Sequence, residues 1–509
     1  MDFSVSQVAV FAWFAIVGAT RSLIVRARAG CGKTTTIVEG IRTYVRACLA
    51  VKAPIRVLAT SFAKKITVSL AERLADLKSV GVDVRSLNSL GNSFSLGKLG
   101  YRVKLDDTAR KFDIARAMAP DATPDAIACL AKLHTKCRAL LPLATCGAEL
   151  EGLAEQFDLG PTDDMVNDGW TLSGLCEAAY DCMVAAARHV PCYDFADQVF
   201  LPLRNGWTRP MYDRIVVDET QDMDPAQLLL AQRSLRVGGS MCVVGDDMQA
   251  IYGFRGADTT AIDRLKSELD ATEIGLACTY RCPRLIVDMA RNLTPSLADF
   301  TSADGAPDGM ITTNLDIVGM IEAVKPGDFI LSRSNAPLVP LCLALLRRGT
   351  RAYVAGRDIG ATLIAVVKRL KITEIDQLSS ALAAYTAKKV EKISKDKKAI
   401  DGEWLAAKLD SANDESETIL AIADGCLSIA EIVSRLSTLF ADDTAGAVML
   451  STVHKAKGLE AVNVFLCDGT FRYKSHDDLM IRYVAITRAK STLHMVSGFE
   501  KTTEVSLAA

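Results

Sequence analysis

At 509 residues the chain is too long for one hydrophobic core, so several domains are expected. Half of it is hydrophobic and 24% charged, the ordinary balance of a soluble globular protein. The net charge of -2 excludes a global basic field, so any surface for nucleic acid has to be a local groove. The fourteen cysteines form no CxxC pair and none sits with histidine at metal-ligand spacing. They read as reduced, buried small hydrophobes, which points to a cytoplasmic setting.

The apolar run Val8–Ala19 lacks the basic segment that opens a signal peptide and is too short to span a bilayer. It reads as a core helix within residues 1–20, and no membrane association is expected. Near its start, Gln7 has two readings: an amide that pairs with the edge of an adenine, or a solvent-facing side chain.

The run Leu23-Ile24-Val25 then predicts a strand, and Ala27-Arg28-Ala29-Gly30-Cys31-Gly32-Lys33-Thr34-Thr35 leads from it into a helix. A strand that stops at a glycine-bearing loop and restarts as a helix aims backbone N–H groups and the helix dipole at one point. That point suits a phosphate chain. Lys33 can reach the outer phosphates, the Thr34 hydroxyl can hold Mg²⁺, and the loop from Ala29, Gly30, Cys31 and Gly32 to Thr35 supplies the remaining contacts. The chain therefore reads as an NTPase.

Ile55–Phe62 predicts a second strand, and a helix opens at Ala63-Lys64-Lys65. Phe62 stacks on a base while Lys64 or Lys65 meets a phosphate, or else Phe62 is core. Val84–Gly91, containing Asn88, reads as a further strand end. Residues 105–204 change character to Ala-, Leu- and Cys-rich helical segments. The strand Tyr212–Val217 follows and ends in Asp218-Glu219. Adjacent carboxylates there suit nucleotide hydrolysis, Asp218 in the Mg²⁺ shell and Glu219 polarising the attacking water. Met241–Gly245 is another buried strand, after which Gln249 can sense a γ-phosphate while Tyr252, Phe254 and Arg255 suit stacking on bases.

A second α/β unit begins near Thr279-Tyr280-Arg281, where Tyr280 can stack on a purine and Arg281 can reach transition-state charge. Strands are expected at 328–333 and 351–356, around a helix at Leu338–Arg347. Residues 371–445 read as helical without strands, with a lysine-rich run at 388–398 that is either a solvated helix face or a contact to nucleic-acid backbone. Val448–Glu460, including Thr452 and His454, resumes the unit. Tyr483–Lys490 leads into the last strand.

The ordered set AxAGxGKT, TSFAKK, LNSLG, VVDETQD, VGDDMQAIYGFRGA, TYRCP, TVHKAKGLE and YVAITRAK resembles the UvrD/Rep/PcrA-like DNA helicases of superfamily one. The resemblance implies an α/β fold of two RecA-like parallel-sheet domains with two helical accessory insertions. The first domain would comprise 1–104 and 205–278, its insertion 105–204, the second domain 279–370 and 446–509, and its short insertion 371–445. It implies ATP and Mg²⁺ as cofactors and a catalytic set of Lys33, Asp218, Glu219, Gln249, Arg281 and Arg488, the two arginines meeting the γ-phosphate. Gln7, Tyr280 and Glu460 would join the phosphate loop around the nucleotide. Phe62, Lys64, Asn88, Tyr252, Phe254, Arg255, Thr452 and His454 would line a track for single-stranded DNA, with a single-to-double-strand junction beyond it and RNA left open. Movement would run three-prime to five-prime.

The chain departs from the family pattern at several positions. Arg28 replaces a frequent glycine, Cys31 a serine or threonine, Asn88 a common histidine, Phe254 a common tryptophan, and Ala63-Lys64 a Thr-Asn pair. The second insertion is much shorter than in the large bacterial enzymes, which favours translocation over processive strand separation, and no room is left for a nuclease domain. An ATPase that responds to nucleic acid as a switch, without separating strands, is the competing expectation.

Overall fold

The computed structural model describes residues 3–188, 190, 192–251, 261–394, 402–441, 446–471 and 476–499. The chain divides into two compact units, Met1–Leu276 and Ala277–Ala509. The division falls two residues before the expected start at 279.

The first unit is built on six strands: β1 (Leu23–Ala27), β2 (Val57–Ser61), β3 (Val82–Val84), β6 (Tyr212–Asp218), β7 (Leu235–Gly245) and β8 (Thr272–Leu276), in the order β3-β2-β6-β7-β1-β8. Every neighbouring pair is parallel. A parallel sheet is covered on both faces, which is why β1, β2 and β6 read as nearly continuous apolar runs. Alternation sorts the residues. Leu23 and Val25 face a core with helices α1 (Val5–Ala15) and α2 (Lys33–Ala50). Ile24, Leu58, Ile215 and Val217 face a second core with α4 (Leu87–Leu99) and the helix Pro225–Arg233. The segment after β3 is therefore the start of a helix, capped by Ser86 accepting from Ser89 N.

Arg214, buried in β6, ties the first of these layers to the sheet. Its guanidinium lies 4.1 Å from the Trp13 ring centre and 4.7 Å from that of Tyr44, and donates to Ser240 Oγ and the Ile16 carbonyl.

Residues 105–204 leave and return through a two-stranded parallel ribbon, β4 (Lys104–Leu105) with β5 (Cys192–Tyr193). Between them the helices Arg110–Met118, Pro124–Leu140 and Leu172–Arg188 pack around a core of their own. The helix Asp197–Arg204 joins the two bodies: Phe200 and Leu201 enter the insertion core, Val199 and Leu203 that of the sheet. A buried charge network closes the insertion at this point. Asp197 accepts from Arg138 at 2.5 Å and Arg110 at 2.9 Å, and Arg138 also meets Asp194 at 2.6 Å. Burial and the nearby Arg138 push His134 down to about 3, so its ring is neutral.

The second unit carries seven parallel strands: β11 (Met310–Leu315), β12 (Phe329–Ser332), β13 (Ala352–Ala355), β14 (Phe440–Ala441), β15 (Val448–Thr452), β16 (Ala461–Cys467) and β17 (Ala489–Val496). Their order is β11-β17-β16-β12-β15-β13-β14, and a separate parallel pair joins β9 (Cys278–Thr279) to β10 (Thr301–Ser302). One finding differs from the sequence reading of 371–445. Phe440–Ala441 pairs with β13 as an edge strand, a two-residue element too short to leave a periodic signal. Among the described residues, Leu378, Leu382, Ile419, Ile432 and Leu436 of this segment share one cluster with Ile330, Val354 and Leu450 of the sheet.

Removing one partner from a buried charge network leaves the others desolvated and unpaired. Asp197→Ala should therefore cost about 3 kcal/mol or more. Denaturant unfolding should show the loss, with new proteolytic cleavages inside 105–204; an unchanged midpoint and digestion pattern would refute the role given to the network.

Candidate nucleotide site

In the six-stranded sheet of the first unit all strands point the same way, so their C-terminal ends share one edge and the loops leaving them converge there. The turn after β1 takes φ of 71° at Gly30 and 79° at Gly32, a left-handed backbone that glycine adopts without strain. Gly32 is the N-cap residue of α2, an 18-residue helix whose free N–H groups and dipole face into this loop. Ala29 and Cys31 are buried beneath it, and burial pushes the Cys31 thiol up to about 12.

Lys33 extends from the first turn of α2 to Glu219, with Nζ 2.9 Å and 3.0 Å from the two carboxylate oxygens. Burial works against its ammonium, but Glu219, Asp246 and Asp218 outweigh that and hold its pKa above the usual lysine value. Thr34 Oγ1 donates to Asp218 at 3.4 Å. Thr35 points elsewhere and accepts from Arg73, so its side chain belongs to the packing of α2 on α3 (Lys64–Arg73).

Asp218 ends β6 and Glu219 follows with φ of 53°, a conformation that costs a non-glycine residue about 1–3 kcal/mol. That turn lets Glu219 N donate to the Asp218 carboxylate at 2.9 Å. Asp218 is pushed well above the ordinary carboxylate range, first by burial and then by Glu219, against the pull of Lys33. Gln221 extends the network. Its Nε2 donates to Glu219 at 2.6 Å, and its Oε1 accepts from Asp246 N at 3.1 Å. Gly245 makes room for this approach, because a Cβ there would lie 2.7 Å from Gln221 Oε1. Gln249 is buried and donates to Asp246 Oδ2 at 2.5 Å. One chain of contacts thus links Lys33, Glu219, Gln221, Asp246 and Gln249.

Gln7 is not solvent-facing. It is 3% exposed, accepts from Ser4 N in a capping box and donates to Thr36 Oγ1 at 2.9 Å, which docks α1 onto α2 behind the phosphate loop. Phe62, at the end of β2, is 41% exposed and so is not core; Lys64 opens α3 beside it. Asn88 donates to the Phe195 carbonyl and accepts from Gln227, so its amide is engaged within the unit. Tyr252, Phe254 and Arg255 lie outside the described residues.

In the second unit Glu460 forms ion pairs with Arg281 and Lys490, with Nε of the one and Nζ of the other each 2.5 Å from its carboxylate. Burial opposes its charge, but Lys490 and Arg281 prevail and hold it below the ordinary carboxylate range. Tyr280 is half-exposed beside this cluster. Arg488 is buried, donating to the Val484 and Leu459 carbonyls and to Thr487 Oγ1. Thr452 is buried at the end of β15, and His454 sits in the short helix Val453–Ala456.

A loop of N–H groups with a lysine, backed by two carboxylates and an amide, can hold a triphosphate and position a water. Residues 11–270, just over half of the chain, match the UvrD/REP helicase N-terminal domain. The chain belongs to this family. Residues 447–496 also match the UvrD-like helicase C-terminal domain. Among similar proteins, a probable DNA helicase II homolog of Rickettsia conorii is 26% identical over 287 residues, 53% of this chain and 42% of that protein. The ATP-dependent DNA helicase UvrD1 of Mycobacterium leprae is 26% identical over 309 residues, 55% of this chain and 38% of its own length. The ATP-dependent DNA helicase PcrA of Staphylococcus aureus is 33% identical over 104 residues, 20% of this chain and 14% of that protein. The chain thus matches less than half the length of each of these UvrD/REP relatives.

A divalent ion fits the first unit's donors. Thr34 Oγ1 and an Asp218 carboxylate oxygen lie 3.4 Å apart, two oxygens of the kind a hard divalent ion takes beside phosphate oxygens. Among the described residues no group of three or more His, Cys, Asp or Glu side chains could cage a metal. No described helix is long and apolar enough to cross a membrane.

Sequence reasoning passed over Gln221, Arg26, Asp246 and Asp247. Arg26 was the accessible signal, a charge inside the apolar strand Leu23–Ala27; it pairs with Asp247 at 2.7 Å, Asp263 at 2.5 Å and Glu273 at 2.9 Å.

The raised Asp218 carboxyl carries a stability consequence. The neutral form suits the fold, so this group's contribution is full at low pH and is lost as pH rises from the ordinary carboxylate range through the raised value, about 7. Asp218→Asn keeps the acceptor for Glu219 N and removes the charge. Without nucleotide or metal, its melting temperature should exceed that of the wild type at pH 8, with a smaller gap at pH 5. Equal melting temperatures at both pH values would contradict the raised pKa.

Proposed function

We propose that the chain is an ATP-driven motor on DNA that moves three-prime to five-prime along a single strand, with Mg-ATP as fuel. The observation that carries this reading is the continuous contact chain from Lys33 through Glu219, Gln221 and Asp246 to Gln249. It joins a phosphate-binding lysine and a water-activating carboxylate to the segment that leads into Tyr252, Phe254 and Arg255. The names of the relatives, all DNA helicases, support it.

In this reading Lys33 exchanges Glu219 for the outer phosphates, which frees the Glu219 carboxylate to orient and polarise water. Thr34 and Asp218 hold Mg²⁺, which supplies charge neutralisation at the phosphates. Gly30, Cys31 and Gly32 give the cradle, Gln249 reports the γ-phosphate, and Gln7 is assigned to the base edge, which requires its amide to leave Ser4 N and Thr36 Oγ1. In the second unit we assign Arg281 and Arg488 to the γ-phosphate, and Tyr280 and Glu460 to the nucleoside. For Arg488 this requires its guanidinium to leave the Val484 and Leu459 carbonyls. Phe62, Lys64, Asn88, Thr452 and His454, with Tyr252, Phe254 and Arg255, would form the track for single-stranded DNA.

A second reading is an ATPase that responds to nucleic acid as a switch with little strand separation. The observation that favours it is that described residues of 371–445, among them Leu378, Leu382, Ile419, Ile432 and Leu436, pack into the core of the second sheet.

ATP hydrolysis measured with single-stranded DNA, duplex DNA and RNA over a salt series tests the proposal. Single-stranded DNA should stimulate turnover, with stimulation falling as salt rises, and Lys33→Ala should abolish it. Hydrolysis indifferent to all three polymers would remove the motor reading. Stimulation without strand release from a three-prime-tailed duplex would favour the switch.

A further inference from the structure

Arg28 stands inside the phosphate loop where the family pattern commonly has glycine. A long cation at that position needs a reason, and its surroundings supply one. The side chain is 7% exposed, with Nη1 3.0 Å from Asp247 Oδ1 and 3.9 Å from Asp246 Oδ1. Its own backbone N–H donates to the Leu276 carbonyl of β8, so the base of the side chain is fixed by the sheet.

The two carboxylates it meets shape the turn after β7. Both accept from Met248 N, Asp246 Oδ1 at 3.2 Å and Asp247 Oδ1 at 3.1 Å, and Asp246 Oδ2 holds Gln249 Nε2. Asp246 is fully buried and the adjacent Asp247 side chain is 30% exposed, so one carboxylate of the pair is cut off from water. Such a pair repels itself unless cations are close. Arg26 serves Asp247 Oδ2 from the strand, and Arg28 serves Asp247 Oδ1 from the loop.

We propose that Arg28 is a positioning residue that fixes the Asp246–Gln249 turn to the phosphate loop, so that the placement of Gln249 follows that of the loop. This rests on the nucleotide-hydrolysis reading above. Arg28 acts through Asp247 and Asp246 on Gln249 and does not itself bind phosphate. A glycine at this position would remove the Arg28 contact and keep those of Arg26 and Gln221. The arginine therefore makes a direct link between two loops that reach the nucleotide from different strands.

The test is steady-state ATP hydrolysis by the full chain for wild type, Arg28→Ala, Arg28→Lys, Gln249→Ala and the double variant Arg28→Ala/Gln249→Ala. Melting temperatures are recorded alongside. Misplacing a catalytic group by about 1 Å can cost around 100-fold in rate. We expect Arg28→Ala to lower kcat by about 10- to 100-fold, with KM for ATP changed less than about threefold, while Arg28→Lys recovers part of the loss. Because the two residues act in series, Arg28→Ala should add little in the Gln249→Ala background. Wild-type kcat in Arg28→Ala overturns the proposal, as does a KM rise with unchanged kcat, which would make Arg28 a phosphate ligand. Independent multiplication of the two losses overturns it too, as does a loss that tracks the melting temperature alone. If Arg28→Ala does not fold, Asp247→Asn is read in its place against Gln249→Ala, with the same outcomes deciding. A wild-type chain that does not hydrolyse ATP would remove the hydrolysis reading and this proposal with it, whereas active wild type with a normal Arg28→Ala removes this proposal alone.

Discussion

The pairing of a buried ammonium with buried carboxylates at the edge of a parallel sheet is the constraint that organises the first unit. Lys33 cannot be desolvated without anions, and Asp218, Glu219 and Asp246 cannot be desolvated together without a cation. They come from three elements: Lys33 from α2 after β1, Asp218 and the following Glu219 from the end of β6, and Asp246 from the turn after β7. The sheet order β3-β2-β6-β7-β1-β8 sets β7 between β6 and β1, so the three ends are neighbours. The charges hold because the register holds, and the register is set by apolar residues on both faces of the sheet.

This arrangement stores free energy at the site. Glu219 sits in a left-handed conformation, and Asp218 carries a carboxyl that burial disfavours as an anion. Both cost stability in the free protein and suit a site that meets a cation and a phosphate chain. The surrounding cores meet that cost: the layers of α1 and α2 on one face, α4 and its neighbours on the other, with Arg214 clamped between Trp13 and Tyr44.

The two accessory segments solve their packing differently. Residues 105–204 fold around a separate core and are closed by the Arg110, Arg138, Asp194 and Asp197 network. Residues 371–445 extend the core of the second sheet and add an edge strand to it. A segment with its own core can move as a body, whereas one that shares a core moves with the sheet it covers. That distinction bears on which parts of the chain can respond to a long polymer.

Much of this was legible in the residues themselves. Apolar runs ended by glycine, carboxylate or amide located β1, β6 and β7, because a strand buried on both faces leaves an unmistakable run. The order of the motifs then carried the family. What the sequence could not determine depends on approach through space. Gln7 and Asn88 are polar residues whose partners, Thr36 and Gln227, lie 29 and 139 positions away. Arg28 is a departure from pattern until Asp247, 219 positions on, is brought against it. The same holds for Phe440–Ala441, which becomes a strand only because β13 offers an open edge. Local periodicity fixes what an element is; only the folded sheet decides which charge meets which.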